Sequence, residues 1–172
     1  MWRHLPKLAA AAFVLAATAA QAEVKIGAVL SVTGPASFLG DPEKKTLEMY
    51  VADINAKGGI NGQPIKLFIY DDQSDPNQAR TFATRLIEQD KVDALLAGST
   101  TATTMPIIAL AEDAQIPLIN FAGAVQAVTP AKKWNFKTPH TDLMACEKIF
   151  EDMKKRNITK VALISGADAF GK

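Results

Sequence analysis

The sequence predicts an α/β fold in which a parallel sheet carries helices on both faces. Short apolar runs of strand length alternate with amphipathic stretches of helix length at least three times, and the connections between them are short. Alternation of this kind is typical of parallel sheets, because each crossover brings the chain back over a sheet face as a helix. A chain of 172 residues that is 48% hydrophobic and 22% charged is long enough for one sizeable domain of this class.

Residues 1–22 have the composition of a secretory signal peptide. Basic residues precede an apolar run at 8–17, and Ala20-Gln21-Ala22 fits the small-x-small rule for cleavage. The run is too short to cross a bilayer comfortably. We therefore expect an exported protein that begins at Glu23 and is not embedded in the membrane.

The charge balance and the single cysteine exclude some classes of function. Without residues 1–22 the chain keeps 17 Lys and Arg against 18 Asp and Glu, so it has no electrostatic reason to bind nucleic acid. Cys146 has no partner for an internal disulfide, so an exported domain must gain its stability from its core. We expect Cys146 to pack in that core, because it lies on an apolar helical face.

The first strand and helix follow directly from the apolar pattern. Residues 24–30 are mostly apolar and predict a buried strand, and 31–40 is a loop rich in turn formers. Asp41 as a cap and Pro42 at the first helical position predict that the first helix begins there. Its apolar face would comprise Leu47, Tyr50, Val51 and Ile54.

The second strand and helix repeat this arrangement. Residues 64–70 predict a strand, and Asp75-Pro76 predicts the start of a helix with Asp75 as its cap. The following apolar stripe has the helical period of 3.6 residues. Its members are Ala79, Phe82, Ala83, Leu86 and Ile87.

The third strand, predicted at 92–97, leads into a hydroxyl loop, which we define as residues 98–101. A helix is expected to begin after it, near Thr103 or Thr104. The free N–H groups of such a helix start, together with nearby hydroxyls, suit an anion such as a carboxylate. The same residues also serve as helix caps, and the pattern leaves both roles open.

The remaining elements are a fourth strand at 116–119, a helix from Thr141 or Asp142, and a strand at 160–165. A strand that ends in a loop without a following helix leaves a sheet edge unfinished, so we expect a longer protein. Loops after the strands should meet at one edge of the sheet, where ligands of such folds bind. Those loops are 31–40, 71–75, 98–103 and 120–127.

No catalytic set is visible. His140 is the only histidine after residue 22, and base catalysis needs a positioned partner. The nucleophile elbow, the phosphate-binding loop and the dinucleotide fingerprint are all missing, so we expect neither an enzyme nor a cofactor. Asp71, Asp72 and Asp75 lack the spacing of a calcium loop, and no metal is expected.

Several segments, taken in order, resemble the periplasmic leucine/isoleucine/valine-binding proteins. These segments are Thr33-Gly34-Pro35 to Gly40, Asp53 to Gly62, Tyr70 to Pro76, and Ala111 to Ile119. The resemblance covers residues 23–172 and implies a type I periplasmic-binding-protein fold with two α/β lobes. Residues 23–138 would form a Rossmann-like N-terminal lobe. Residues 139–172 would hold the crossing segment and the start of an incomplete C-terminal lobe.

The resemblance also implies where a ligand is held. The loops after the third and fourth strands would bind its carboxylate and amino group, a first-loop pair would line the cleft, and an aromatic of lobe two would cover it. The matching residues are Ser99, Thr100, Thr101 and Ala102; Ala122, Gly123 and Ala124; Phe38 and Leu39; and Phe170. Ala124 stands where the family has a hydroxyl, and Phe170 lacks a phenol. Both departures favour an apolar site for a branched aliphatic or aromatic carboxylate.

The function that this resemblance implies is that of a periplasmic receptor for a small hydrophobic amino acid or a related carboxylate. We expect a monomer without a cofactor that delivers its ligand to an ABC permease by closure of the two lobes. Two alternatives remain. One is a ligand-sensing domain of a regulatory system, and the other is an exported enzyme of flavodoxin-like topology.

Overall fold

A computed structural model describes residues 23–171; Lys172 and the expected signal peptide, residues 1–22, lie outside the described residues. Five strands form one sheet in the order β2-β1-β3-β4-β5, and every neighbouring pair is parallel. The strands are β1 (Val24–Leu30), β2 (Ile65–Asp71), β3 (Ala94–Ala97), β4 (Leu118–Asn120) and β5 (Asn135–Lys137). The predicted parallel α/β fold is confirmed, and β5 is a strand that the apolar pattern did not reveal.

Four helices accompany the sheet: α1 (Ser37–Ala56), α2 (Pro76–Arg85), α3 (Thr101–Ala114) and α4 (Asp142–Lys155). Helices α2 and α3 pack together on one face, whereas α1 lies against β1 and β2 and contributes nothing to that core. The chain leaves β1 toward β2 on one side and later returns past it to β3 on the other. Such a reversal opens a crevice at the carboxyl ends of the two strands.

The predicted stripe of α2 is confirmed as the centre of the core. Ala79, Ala83 and Leu86 are fully buried, and Phe82 and Ile87 pack against them. The Asp75 carboxylate accepts from the backbone N–H groups of Asn77 and Gln78, as a helix cap does. A π-helical turn, Leu86–Asp90, continues this helix.

Helix α1 begins at Ser37, so the prediction of a start at Asp41-Pro42 was wrong. The N–H groups of Leu39 and Gly40 already donate to the Ala36 carbonyl, and Pro42 lies inside the helix. A proline near the start of a helix removes one intrahelical hydrogen bond, which this end of the helix tolerates. Asp41 instead forms an ion pair with Lys45, one turn along.

Helix α4 begins at Asp142 with Thr141 as its cap, as predicted, but its apolar face is not part of the core. No residue of α4 is buried, and Cys146 is exposed, so the expected core packing of Cys146 was wrong. An amphipathic face becomes buried only when another element covers it. Within residues 23–171 no other element covers this face.

The strand predicted at 160–165 is also absent from the described structure. Leu163 and Ile164 are 89% and 97% exposed. A strand is held by hydrogen bonds to a neighbouring strand. None of the strands in the described part of the chain pairs with this segment.

Candidate functional site

The carboxyl ends of β1, β3 and β4 border a cleft of about 480 Å³, which we call the strand-end cleft. It is walled by the start of α1, the hydroxyl loop, the loop after β4 and the segment near the end of the described chain. Its lining residues are Pro35, Ala36, Phe38, Leu39, Glu43, Ser99, Thr100, Thr101, Phe121, Gly123, Asp168 and Phe170. Seven of the ten expected site residues are therefore brought together here.

Helix α3 begins at Thr101 with Thr100 as its cap, so the expected start at Thr103 or Thr104 was wrong. The Thr100 hydroxyl accepts from the Thr103 N–H at 3.2 Å, and the Thr103 hydroxyl accepts in return from the Thr100 N–H at 3.3 Å. This reciprocal pair is a capping box, with Thr103 in the place of the usual Glu or Gln. The Thr104 hydroxyl donates to the carbonyls of Gly98 and Thr100.

Gly98 permits this close turn between β3 and α3. Its φ of +84° lies in the left-handed region, and a Cβ there would overlap with the Thr104 hydroxyl oxygen. A side chain at this position would strain the backbone and displace the start of α3. The glycine therefore allows the N-terminus of α3 to lie directly at the strand-end cleft.

Thr101 differs from its neighbours because its hydroxyl has no hydrogen-bond partner among residues 23–171. The residue is 4% exposed, and its Oγ1 is one of two buried side-chain oxygens in the described chain without a partner. Thr101 occupies the first turn of α3, where backbone N–H groups have no intrahelical acceptor. A buried donor beside free N–H groups is the arrangement that an anionic ligand would complete.

Ser99 is committed to a protein partner that the sequence analysis missed. Its hydroxyl donates to Oε2 of Glu43 and accepts from the Ser31 N–H at 3.0 Å. The Ser31 hydroxyl in turn donates to Oδ1 of Asp72 at 2.7 Å, so a polar chain runs behind the cleft. With α1 beginning at Ser37, Glu43 falls one turn after Leu39 on the same face, which is how it reaches the cleft.

Both acids of this polar chain are unfavourably placed as charges. Burial raises the pKa of the Glu43 carboxyl, with the Ser99 hydrogen bond opposing and the nearby Asp72 charge adding to the rise. Burial likewise raises the pKa of Asp72, against the hydrogen bonds from Ser31 and Ser74. Neither acid forms an ion pair with a cation of the described chain.

The loop after β4 presents Gly123 to the cleft and turns its flanking alanines away. Ala122 and Ala124 are buried, with Ala122 in the core, and Ala102 is half-buried outside the lining of the cleft. A Cβ on Gly123 would stand 2.7 Å from Cε2 of Phe170. The absence of a side chain at 123 therefore lets the Phe170 ring lie over this loop.

The carbonyls of the same loop are already engaged. Ala122 accepts from the Lys137 ammonium, Gly123 accepts from the Asp142 N–H at 3.0 Å, and Ala124 accepts from an N–H of the following 3-10 turn. Burial lowers the pKa of Lys137, while the Asp142 carboxylate opposes this shift. The loop thus joins β4 to the start of α4 and offers a ligand few free acceptors.

Other chemistry finds little support in the structure. Within residues 23–171 no three His, Cys, Asp or Glu side chains are grouped as a metal site would require. The search for an apolar helix of membrane-spanning length over the same residues found none.

Comparisons with known proteins agree with this architecture. A family model described as periplasmic binding protein matches residues 23–172. The Leu/Ile/Val-binding protein homolog 7 of Brucella melitensis is 33% identical over 129 residues, which are 75% of this chain and 32% of that protein. The chain therefore spans about a third of this relative's length.

Two solved structures from Rhodopseudomonas palustris are similar to this chain. An extracellular ligand-binding receptor is 36% identical with a TM-score of 0.79, over 88% of this chain and 41% of its own. A solute binding protein of an ABC transporter, in complex with 3,4-dihydroxy benzoic acid, is 25% identical with a TM-score of 0.78, over 87% of this chain and 40% of its own. These relatives are binding proteins. Because the family match extends over residues 23–172, this protein belongs to the type I periplasmic binding protein family.

Proposed function

We propose that this protein is a periplasmic solute receptor that binds a small hydrophobic amino acid or a related carboxylate and delivers it to an ABC permease. Residues 23–138 would form one of its two lobes, and the segment 139–172 would hold the crossing and the start of the second lobe. The relatives that share the fold support a receptor. One is named a Leu/Ile/Val-binding protein homolog and another binds an aromatic carboxylic acid.

The observation that carries the proposal is the unpartnered hydroxyl of Thr101 at the N-terminus of α3. A buried hydroxyl without a partner is costly, and native proteins retain few of them. A ligand carboxylate would accept from this hydroxyl and from the free N–H groups of the first turn, with the helix dipole adding to the attraction. The carboxylate would thereby satisfy donors that the described chain leaves free.

The apolar part of the ligand would lie between aromatic side chains on two sides of the cleft. Phe38 and Leu39 belong to α1, whereas Phe170 rests over Gly123. Phe38 and Phe170 are 73% and 55% exposed, so a ligand between them would remove apolar surface from water. Closure of the lobes around the ligand would follow, because only the closed state makes both sets of contacts.

The test is a thermal-shift screen of the full-length protein, followed by calorimetry of each compound that raises its melting temperature. Suitable compounds are L-leucine, L-phenylalanine, their 2-oxo acids and 3,4-dihydroxybenzoate. A ligand at 100 times its Kd stabilises the native state by about 2.7 kcal/mol, which such a screen detects. The amides of these compounds are the control. A compound that binds equally well as its amide would contradict the carboxylate role.

A further inference from the structure

Glu43 stands in the strand-end cleft as a carboxylate with one oxygen held and one available. Oε2 accepts from Ser99, and no other side-chain hydrogen bond to Glu43 is present within residues 23–171. The residue is half-buried and lines the cleft beside the hydroxyl loop. An ionised carboxylate only accepts hydrogen bonds, so its second oxygen requires a donor from water or from a ligand.

The position of Glu43 is unfavourable for an anion binding nearby unless the ligand also carries a donor or a positive charge. The hydroxyl of Ser99 is spent on Glu43, so this serine is not a donor to a ligand carboxylate. The donor left in the loop is Thr101, whose hydroxyl is buried and unpartnered. The cleft therefore sets a free donor and a free acceptor side by side, in a site that offers no cation from the described residues.

The loop after β4 cannot replace Glu43 as the acceptor. Ala124 carries no hydroxyl, and the carbonyls of Ala122 and Gly123 already accept from Lys137 and Asp142. A ligand ammonium at this loop would also lie near the Lys137 ammonium, which repels it. Among the described residues that line the cleft, Glu43 is the acid whose charge and free oxygen fit a positively charged donor.

We infer that Glu43 is a specificity-determining residue, which selects ligands that carry an ammonium group next to their carboxylate over the matching 2-oxo acids. This role rests on the proposed function, since it concerns the same cleft and the same carboxylate. The ligand carboxylate would lie at Thr101 and the start of α3, and its ammonium would donate to the free oxygen of Glu43. The burial that raises the pKa of Glu43 would then be offset by a neighbouring cation.

The test compares Glu43→Gln with the wild type in the full-length protein, by calorimetry with L-leucine and 4-methyl-2-oxopentanoate. In this variant the amide oxygen would keep accepting from Ser99, so the amide NH2 group would face the ligand in place of the free carboxylate oxygen. We expect the variant to lose about tenfold or more in affinity for leucine and to keep or gain affinity for the oxo acid. L-phenylalanine and phenylpyruvate form a second pair with the same difference in chemistry.

Glu48→Gln is the matched control, because Glu48 is an exposed acid of the same helix that lies outside this cleft. It should leave all four affinities unchanged. Should Glu43→Gln not fold, Glu43→Ala removes the acceptor without adding a donor and serves in its place.

Three results would overturn the inference. A Glu43 variant that changes the affinities for the amino and oxo acids equally, or not at all, would exclude this role while leaving the proposed function intact. A wild type that prefers the oxo acids would do the same. If the wild type binds none of the four compounds, the proposed function fails for this ligand class, and the role of Glu43 fails with it.

Discussion

Replacing Thr101 by Val separates ligand binding from helix capping within one loop. Valine has nearly the shape of threonine but lacks the hydroxyl, which in this structure is buried and unpartnered. A hydrogen bond to a charged acceptor contributes about 1.5–3 kcal/mol, so its loss should weaken carboxylate binding by about 10- to 150-fold. The unliganded protein should become more stable, because an unsatisfied buried hydroxyl costs about 1–3 kcal/mol.

Thr100→Val is the control, since the Thr100 hydroxyl accepts from the Thr103 N–H and caps α3. Its removal should lower the free energy of unfolding by about 1 kcal/mol. Both variants are compared by urea denaturation without ligand and by calorimetry with the tightest carboxylate from the screen. The reasoning is refuted if Thr101→Val keeps wild-type affinity, or if it destabilises the unliganded protein as much as Thr100→Val does.

Three further predictions concern other residues of the site and the core. Burial raises the pKa of Glu43, so its stabilising contribution is full below the unfolded pKa and is lost as pH rises through the folded pKa. Urea denaturation should therefore find Glu43→Gln more stable than wild type at pH 7, by less than about 1 kcal/mol because water screens the exposed part, and equal to it below about pH 4; a difference that persists at low pH would contradict this. Gly123→Ala should displace the Phe170 ring and weaken binding about fivefold in calorimetry, with no such effect in a Phe170→Ala background. Asp75→Ala should lower the free energy of unfolding by about 1 kcal/mol without changing affinity, and a loss of affinity would mean that this cap also supports the cleft.

The predictions that agree with the structure are those that depend on local pattern. Strand β1 has the predicted bounds, and the stripe after Asp75 is buried as its period of 3.6 residues required. The pattern did not identify β5, because three residues with mixed polarity carry no periodic signal. Cys146 and the segment 160–165 were misplaced for another reason. Their apolar character indicates burial but does not say which surface covers them, and no described element does so.

The start of each helix beside the cleft was the hardest feature to predict, and it decides the chemistry of the site. Asp41-Pro42 has the composition of a helix start, yet α1 is already formed before it, and this earlier start places Glu43 on the face that meets the cleft. A run of threonines likewise offers several equivalent caps to a sequence pattern. Only the three-dimensional contacts reveal which hydroxyl is used.

Those contacts show that capping and ligand binding are divided among neighbouring hydroxyls of the same loop. Thr100 is occupied by the capping box and Ser99 by Glu43, so Thr101 alone in the hydroxyl loop keeps a free donor. A loop whose hydroxyls all pointed to a ligand would leave the start of α3 uncapped, and one that only capped the helix would not bury a free hydroxyl. The division therefore explains why a run of hydroxyl residues is needed here: each position satisfies a different acceptor, and the one that the protein leaves unsatisfied is where a carboxylate would fit.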